Sequence, residues 1–505
     1  MALAKIKSGA AIGLEAVPIE VEVDISNGLP GITIVGLPDK AVEEAKERIR
    51  SAIKNSGIIL PSKRITINLA PADLRKAGPA YDLPMAIGIL LASEQIKLSQ
   101  NAYFYGELAL NGDLRPIQGS ILFATLAAKD EKATIYLPSS NAIEASLISN
   151  ITIIPINSLS ELVEHLRGEK NISPHPHTQI DSSLLEQTHG IDMADVAGQE
   201  HAKRALEIAA TGRHHVIMSG SPGSGKTMLA KAFSTILPPL STTEMLEVTK
   251  LYSISGLLND KNSLMLKRPF RKPHHTASAV AITGGGNWPK PGEISLAHHG
   301  VLFLDELPEF PRQVLDVLRQ PIEDKQVHIS RAATNVTFPA NFSLVAAQNP
   351  CPCGFYGDKE KTCTCTAGQI QNYQKKVSGP LLDRIDLQIQ VLRLPYEKFI
   401  EKEVSAPSSE IRLRVIAAFN KQQQRFENSK TNYNSEMNTD EIKQFCNLDE
   451  TGHKLLQQAM EKFHLSGRAY SRTLKVARTI ADLAESIDIK PEHLAESLSY
   501  RIGEN

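Results

Sequence analysis

The chain has 505 residues, 42% of them hydrophobic and 22% charged, with a formal net charge of −1. At roughly 100–200 residues per domain this predicts about three domains, and a near-neutral chain has no global basic field, so any nucleic-acid contact must come from a local patch. No apolar run approaches the roughly 18 residues of a membrane helix, the charged start Met1-Ala-Leu-Ala-Lys-Ile-Lys7 does not resemble a signal peptide, and five cysteines without a secretory signal predict a reducing, cytoplasmic setting.

Residues 1–167 mix strands and helices. Ile19, Val21, Val23 and Ile25 alternate with Glu20, Glu22 and Asp24, the period-2 pattern of a half-buried strand. Further strands are predicted at 32–35 and 64–69. A helix is predicted over 40–56, with Asp39 as N-cap and Gly57 just past its end. A linker follows over 168–190, carrying Ser173-Pro-His-Pro-His177 and little periodicity. The second block, 191–394, opens with a helix over 200–211 and a short apolar strand over 215–219. The last block, 395–505, reads as all-helical, with a polar stretch over 422–438 that suits a loop or an extended helix end.

The chemistry begins after the 215–219 strand. Gly220-Ser221-Pro222-Gly223-Ser224-Gly225-Lys226-Thr227 matches the G-x-x-x-x-G-K-[ST] phosphate loop. Its glycines let successive backbone N–H groups turn toward one anion. Lys226 can reach the β- and γ-phosphates of ATP, and the Thr227 hydroxyl can hold Mg²⁺. The helix that follows stops before Pro238-Pro239. Downstream, Val301-Leu-Phe-Leu304 is an apolar strand ending in Asp305 and Glu306. Asp305 suits Mg²⁺ and its water shell, and Glu306 suits positioning and deprotonating the attacking water. A second apolar strand, 343–348, ends at Asn349, whose amide could sit between γ-phosphate and water.

These motifs, together with Pro269-Phe-Arg-Lys-Pro-His-His-Thr276, Gly284-Gly-Gly286 and the run Pro291 to Phe310, closely resemble the magnesium-chelatase-like AAA+ ATPases, and specifically the YifB/ComM family. The resemblance covers essentially the whole chain. It implies a multidomain α/β protein: a Lon-protease-like α+β N-terminal domain, an AAA+ core with a parallel sheet and a helix-2 insert, and a small helical C-terminal lid. It further implies a homohexameric motor, since ComM proteins are DNA helicases that promote branch migration during natural transformation. Arg384, in Leu381-Leu-Asp-Arg-Ile-Asp386, then matches the arginine finger that reaches the neighbouring subunit's γ-phosphate; the alternative is an arginine paired with Asp383 or Asp386. Arg472 matches the sensor-2 position, with Arg478 as substitute, and Val196-Ala-Gly-Gln199 matches the segment near adenine.

The wide spacing between Lys226 and Asp305 leaves room for an insertion, and 268–292 fits it: Gly- and Pro-rich, with Arg271, Lys272, Lys290 and the only tryptophan, Trp288. The resemblance turns this loop toward the hexamer pore, where cations and one aromatic could follow a single or branched DNA strand. The alternative is that Trp288 fills a subunit interface and the cations pair with nearby acids. A β-hairpin is predicted over 327–338, with Arg331 near its tip as a phosphate contact. Cys351-Pro-Cys353 and Cys363-Thr-Cys365 could enclose tetrahedral Zn²⁺, although C-x-C departs from the usual spacing and free reduced thiols are the alternative. In the first block, the resemblance to Lon proteases puts Ala80 where the nucleophilic serine stands and Ile121 where the lysine stands, which implies the shape without the peptidase. Rival readings are a chelatase-type motor subunit and a protein-remodelling ATPase.

Overall fold

A computed structural model of the chain describes residues 3–74, 76, 78–98, 101–178, 190–258, 263–286, 288–331, 334–358, 360–394 and 405–501. Two compact units result: Met1–Asp181 with Met245–Met265, and Ser182–Glu244 with Leu266–Asn505. Residues 179–189 of the expected linker lie outside the described residues. Its earlier part pairs with the first unit, where His175 N donates to Ile153 O at 2.8 Å. Among the described residues, no helix is long and apolar enough to cross a membrane.

The first unit is built on a seven-stranded mixed sheet in the lateral order Gly31–Val35, Arg64–Ala70, Glu15–Ser26, Ala4–Ile12, Ala102–Phe104, Thr134–Pro138, Thr152–Ile156. Two clusters of buried apolar side chains form on it, and neighbouring residues of one strand divide between them. Tyr103, Ile135 and Ile153 belong to one, Phe104, Tyr136 and Ile154 to the other, as alternation across a pleated strand requires. The expected helix runs Lys40–Asn55, and the Asp39 carboxylate accepts from Val42 N at 2.9 Å. Arg48 on this helix clamps the fully buried Asp82, with Nε to Oδ2 at 2.7 Å and Nη2 to Oδ1 at 3.0 Å. Ile121 is fully buried in the helix Ser120–Ala127, and Ala80 packs on the cluster around Tyr105 and Phe123. Residues 245–265 join this unit through Ser253, whose Oγ donates to the buried Glu144 carboxylate and accepts from Gly119 N at 2.9 Å.

The second unit holds a five-stranded, all-parallel sheet in the lateral order Phe270–Arg271, Val301–Leu304, Ser343–Gln348, Val216–Ser219, Leu387–Gln390. The inner strands read as unbroken apolar runs because both faces are covered. Val216, Met218, Val301, Phe303, Val345 and Ala347 share one buried cluster with the helices Glu200–Gly212 and Lys226–Ile236. The helices Ser408–Arg425 and Gly467–Leu483 contribute Ile411, Val415, Val476 and Ile480 to the same cluster, so they pack directly with the parallel sheet. Residues 405–501 are otherwise helical, as expected, with their own core around Leu456, Leu474 and Leu494. The polar stretch after Gln422 continues as helix for one more turn. Gln422 is fully buried, its amide donating to Thr211 O at 3.0 Å and accepting from Asn434 N at 2.8 Å, so its polarity marks an internal hydrogen bond.

Candidate active site

Parallel strands leave their C-terminal ends along one edge of a sheet, and loops after them converge there. Strands Val216–Ser219, Val301–Leu304 and Ser343–Gln348 deliver Gly220, Asp305 and Asn349 to that edge. The phosphate loop closes there onto the helix Lys226–Ile236. Gly225 caps it at φ 96°, a left-handed conformation that a Cβ would penalise. The loop therefore ends with helix N–H groups facing the site, the local positive end of the helix.

Lys226 folds back over this loop. Its Nζ donates to Gly220 O at 2.6 Å, to Ser221 O at 3.0 Å and to Asn349 Oδ1 at 3.3 Å. Burial pushes its ammonium down to about 8, against the opposing pull of Asp305 and Glu306. Thr227 Oγ1 donates to Asp305 Oδ2 at 3.1 Å, and Lys272 Nζ reaches the same oxygen at 2.9 Å. Glu306 stands at φ 54° and is half-exposed, with His275 Nδ1 3.3 Å from its carboxylate. The buried Ser224 Oγ has no hydrogen-bond partner among the described residues. An unpartnered buried hydroxyl, and a buried ammonium held among the described residues by two carbonyls of its own loop and one amide, suit the binding of a phosphate chain.

The structure thus brings together Gly220 to Thr227, Asp305, Glu306 and Asn349. Val196 is buried beside this unit's core, and Gln199 three residues on donates to Ser224 O at 3.4 Å and Leu392 O at 2.6 Å. The two candidate arginines take other partners. Arg384 donates to Pro380 O at 2.6 Å and pairs with Glu323 at 2.8 Å, rather than with Asp383 or Asp386. Asp386 instead takes Arg472, with the His215 N–H at 3.0 Å and His214 Nδ1 at 3.4 Å. Arg478 is fixed inside the helical segment by Asp482, Ser486 O and Ile487 O.

Of the candidate DNA contacts, Arg271 lies in the outermost strand of the sheet and forms a double hydrogen bond to Glu293, both at 2.7 Å. Lys272 follows it and reaches Asp305. This segment therefore runs along the sheet edge, and the short helix Ala279–Thr283 follows it. Trp288 is half-buried and Lys290 exposed, at the turn and second strand of a two-stranded ribbon, Gly284–Gly285 with Lys290–Pro291. The expected hairpin is present as Gln326–Arg331 paired with Thr334–Pro339; its tip and the Arg331 side chain lie outside the described residues. The four cysteines come together: Sγ atoms of Cys351, Cys353 and Cys363 are 3.4–3.7 Å apart, and all four fall within 4.8 Å of one another.

Sequence reasoning missed Lys272 and His275 as neighbours of the two acids. The signal was available in Pro269-Phe-Arg-Lys-Pro-His-His275, but only the parallel pairing of Phe270 with Val301 shows that this run travels beside Asp305 and Glu306.

Known families match along the chain. The family described as "Magnesium chelatase, subunit ChlI" matches residues 192–399. "Subunit ChlI of Mg-chelatase" matches 21–141, and the ChlI C-terminal family matches 405–501. The protein YifB of Salmonella typhimurium is 45% identical over 505 residues, covering 99% of this chain and 97% of its own. Competence protein ComM of Haemophilus influenzae is 44% identical over 507 residues, covering 99% and 98%. Lon protease 2 of Bacillus subtilis is 26% identical over 176 residues, 34% of this chain and 31% of that protein. With likeness running from end to end and an intact phosphate loop and acid pair in place, the chain belongs to the YifB/ComM family of magnesium-chelatase-like AAA+ ATPases.

Proposed function

We propose that this protein is an ATP-driven DNA translocase that works in the cytoplasm as a homohexameric ring and moves branched junctions during recombination in natural transformation. The observation that carries the ATPase part is the convergence of Lys226, Thr227, Asp305, Glu306 and Asn349 on one sheet edge. The DNA part is supported by the end-to-end likeness to competence protein ComM.

In this reading the backbone of Gly220 to Thr227 and the Lys226 ammonium bind the phosphates of ATP. Thr227 and Asp305 would hold Mg²⁺, whose charge offsets that of the β- and γ-phosphates. Glu306 takes a proton from the water that attacks the γ-phosphorus, the bond to the bridging oxygen breaks, and ADP leaves with that electron pair. Asn349 holds the water and γ-phosphate in register. Arg384 serves the site of the adjoining subunit, which ties turnover to assembly, and a contact that uses two different surfaces closes into a ring. Trp288, Lys290 and Arg331 follow the DNA strand, one by stacking and two by charge. Cys351, Cys353, Cys363 and Cys365 would hold a structural Zn²⁺.

The test is ATP turnover at fixed salt with linear, single-stranded and four-way branched DNA, repeated with Trp288→Ala, Lys290→Ala and Arg331→Ala. Stimulation by branched DNA that the substitutions weaken supports the reading. Stimulation by unfolded protein, and by no DNA, would overturn it in favour of protein remodelling.

A further inference from the structure

The four cysteines stand in two pairs, and the segment between the pairs lies on the phosphate loop. The Asp358 carboxylate accepts from Ser221 Oγ at 2.6 Å with Oδ2, and from Glu360 N and Lys361 N at 2.9 and 3.0 Å with Oδ1. Gly354, at φ 86°, approaches so closely that a Cβ there would come within 2.5 Å of the Pro222 ring. Glu360 pairs with Arg393 at 3.3 Å, just beyond the strand that flanks the loop. On the other side the chain runs from Asn349, which accepts from Lys226, through one proline to Cys351.

The cluster itself is shaped for a metal. Zn–S bonds of about 2.3 Å place tetrahedral sulfurs about 3.8 Å apart, close to the 3.4–3.7 Å separations here. A disulfide needs about 2.05 Å, so none is formed. Two backbone donors already face sulfur: Tyr356 N to Cys351 Sγ at 3.3 Å and Cys353 N to Cys365 Sγ at 3.4 Å. Such donors stabilise thiolates and orient them toward an ion.

We infer that one zinc ion bound by Cys351, Cys353, Cys363 and Cys365 fixes the Gly354–Asp358 arm against Ser221 and Pro222, so that metal occupancy sets the affinity of the phosphate loop for nucleotide. The ion draws the two ends of the arm together. Without it the ordering of the arm must be met by Ser221, Pro222 and Arg393 alone, and both the loop and Asn349 lose a fixed neighbour. This rests on the ATPase reading of the loop and not on the DNA reading.

The experiment uses the full chain purified with reductant and supplied zinc, the double variant Cys363→Ser/Cys365→Ser, and Asp358→Ala. Zinc per chain is measured by plasma mass spectrometry, and affinity by fluorescence of a methylanthraniloyl-ATP. We expect about one zinc in the parent and in Asp358→Ala, and less than about a tenth in the double variant. Affinity should fall about tenfold in both variants, the loss of one charge-assisted hydrogen bond and its ordering. Asp358→Ala keeps the inference testable should the double variant fail to fold. Parent affinity in Asp358→Ala, parent affinity in a zinc-free double variant, or a parent chain without zinc would each overturn it. A zinc-bound, nucleotide-binding parent that ignores DNA fails the translocase proposal and leaves this one standing.

Discussion

Nucleotide binding should carry a proton with it in mildly alkaline solution. The phosphate loop holds the Lys226 ammonium among two backbone carbonyls and one amide. Burial there pushes it down to about 8, with Asp305 and Glu306 pulling weakly the other way. A phosphate chain carries several negative charges and favours the ammonium, so the bound lysine stays protonated well above that value. The sign follows: below the free value the lysine is already charged and affinity is flat, while above it each binding event takes up a proton. Apparent affinity should then fall by a factor of 1 + 10^(pH − pKa), about twofold at pH 8 and about elevenfold at pH 9. A lysine at its ordinary value of about 10.4 would give almost no change over that range. The assay is fluorescence titration of a methylanthraniloyl-ADP at constant ionic strength from about pH 7 to pH 9.5, with calorimetry in two buffers of different ionisation enthalpy to count the proton. Lys226→Arg, charged throughout, should bind with little pH dependence. A flat parent profile, or a slope that survives in Lys226→Arg, would refute the assignment.

Three further outcomes are expected. Glu306→Gln should keep nucleotide affinity and assembly while turnover falls by about 10²–10⁴; undiminished turnover removes the role given to Glu306. Arg384→Ala should lower turnover by about 10³-fold at unchanged nucleotide affinity, whereas Glu323→Gln, which breaks the same ion pair, should leave turnover near the parent's; equal losses would mean the arginine acts only through Glu323. Asp386→Asn should destabilise the second unit by about 3–5 kcal/mol, read from the denaturation midpoint, because Arg472 loses its buried counter-charge. Burial alone would raise the Asp386 carboxyl, but Arg472, His214 and His215 outweigh it and hold it well below the usual range. The folded-state value is depressed, so its contribution is present above about pH 4 and is lost as pH falls below that; the parent's acid denaturation should be steeper there than the variant's, and identical acid limbs would count against the pair.

What the sequence made legible was whatever short-range chemistry writes into adjacent positions. A phosphate loop is one continuous backbone turn, so Gly220 to Thr227 announce it, and the apolar runs before Gly220, Asp305 and Asn349 announce parallel strands buried on both faces. Asp39 capping Lys40–Asn55 was readable for the same reason, since a cap and its helix are neighbours in the chain. Partnerships across the fold were not. Arg384 has acids one and two positions away, yet its guanidinium is held by Pro380 O and by Glu323, a residue distant in the chain. For Lys272 the sequence leaves open a DNA contact or a nearby acid, and only the sheet register sets it beside Asp305. The polar run from Gln422 suits a loop or an extended helix end, and the sequence does not choose between them because a buried amide with both hydrogen-bonding sides satisfied has the same letter as an exposed one. The cysteines lie between these cases. Their spacing announced a cluster, but that the arm between them rests on Ser221 and Pro222 depends on the length of a loop whose path no periodicity encodes. Local grammar therefore finds the candidate motifs, and tertiary pairing decides which charges each of them meets.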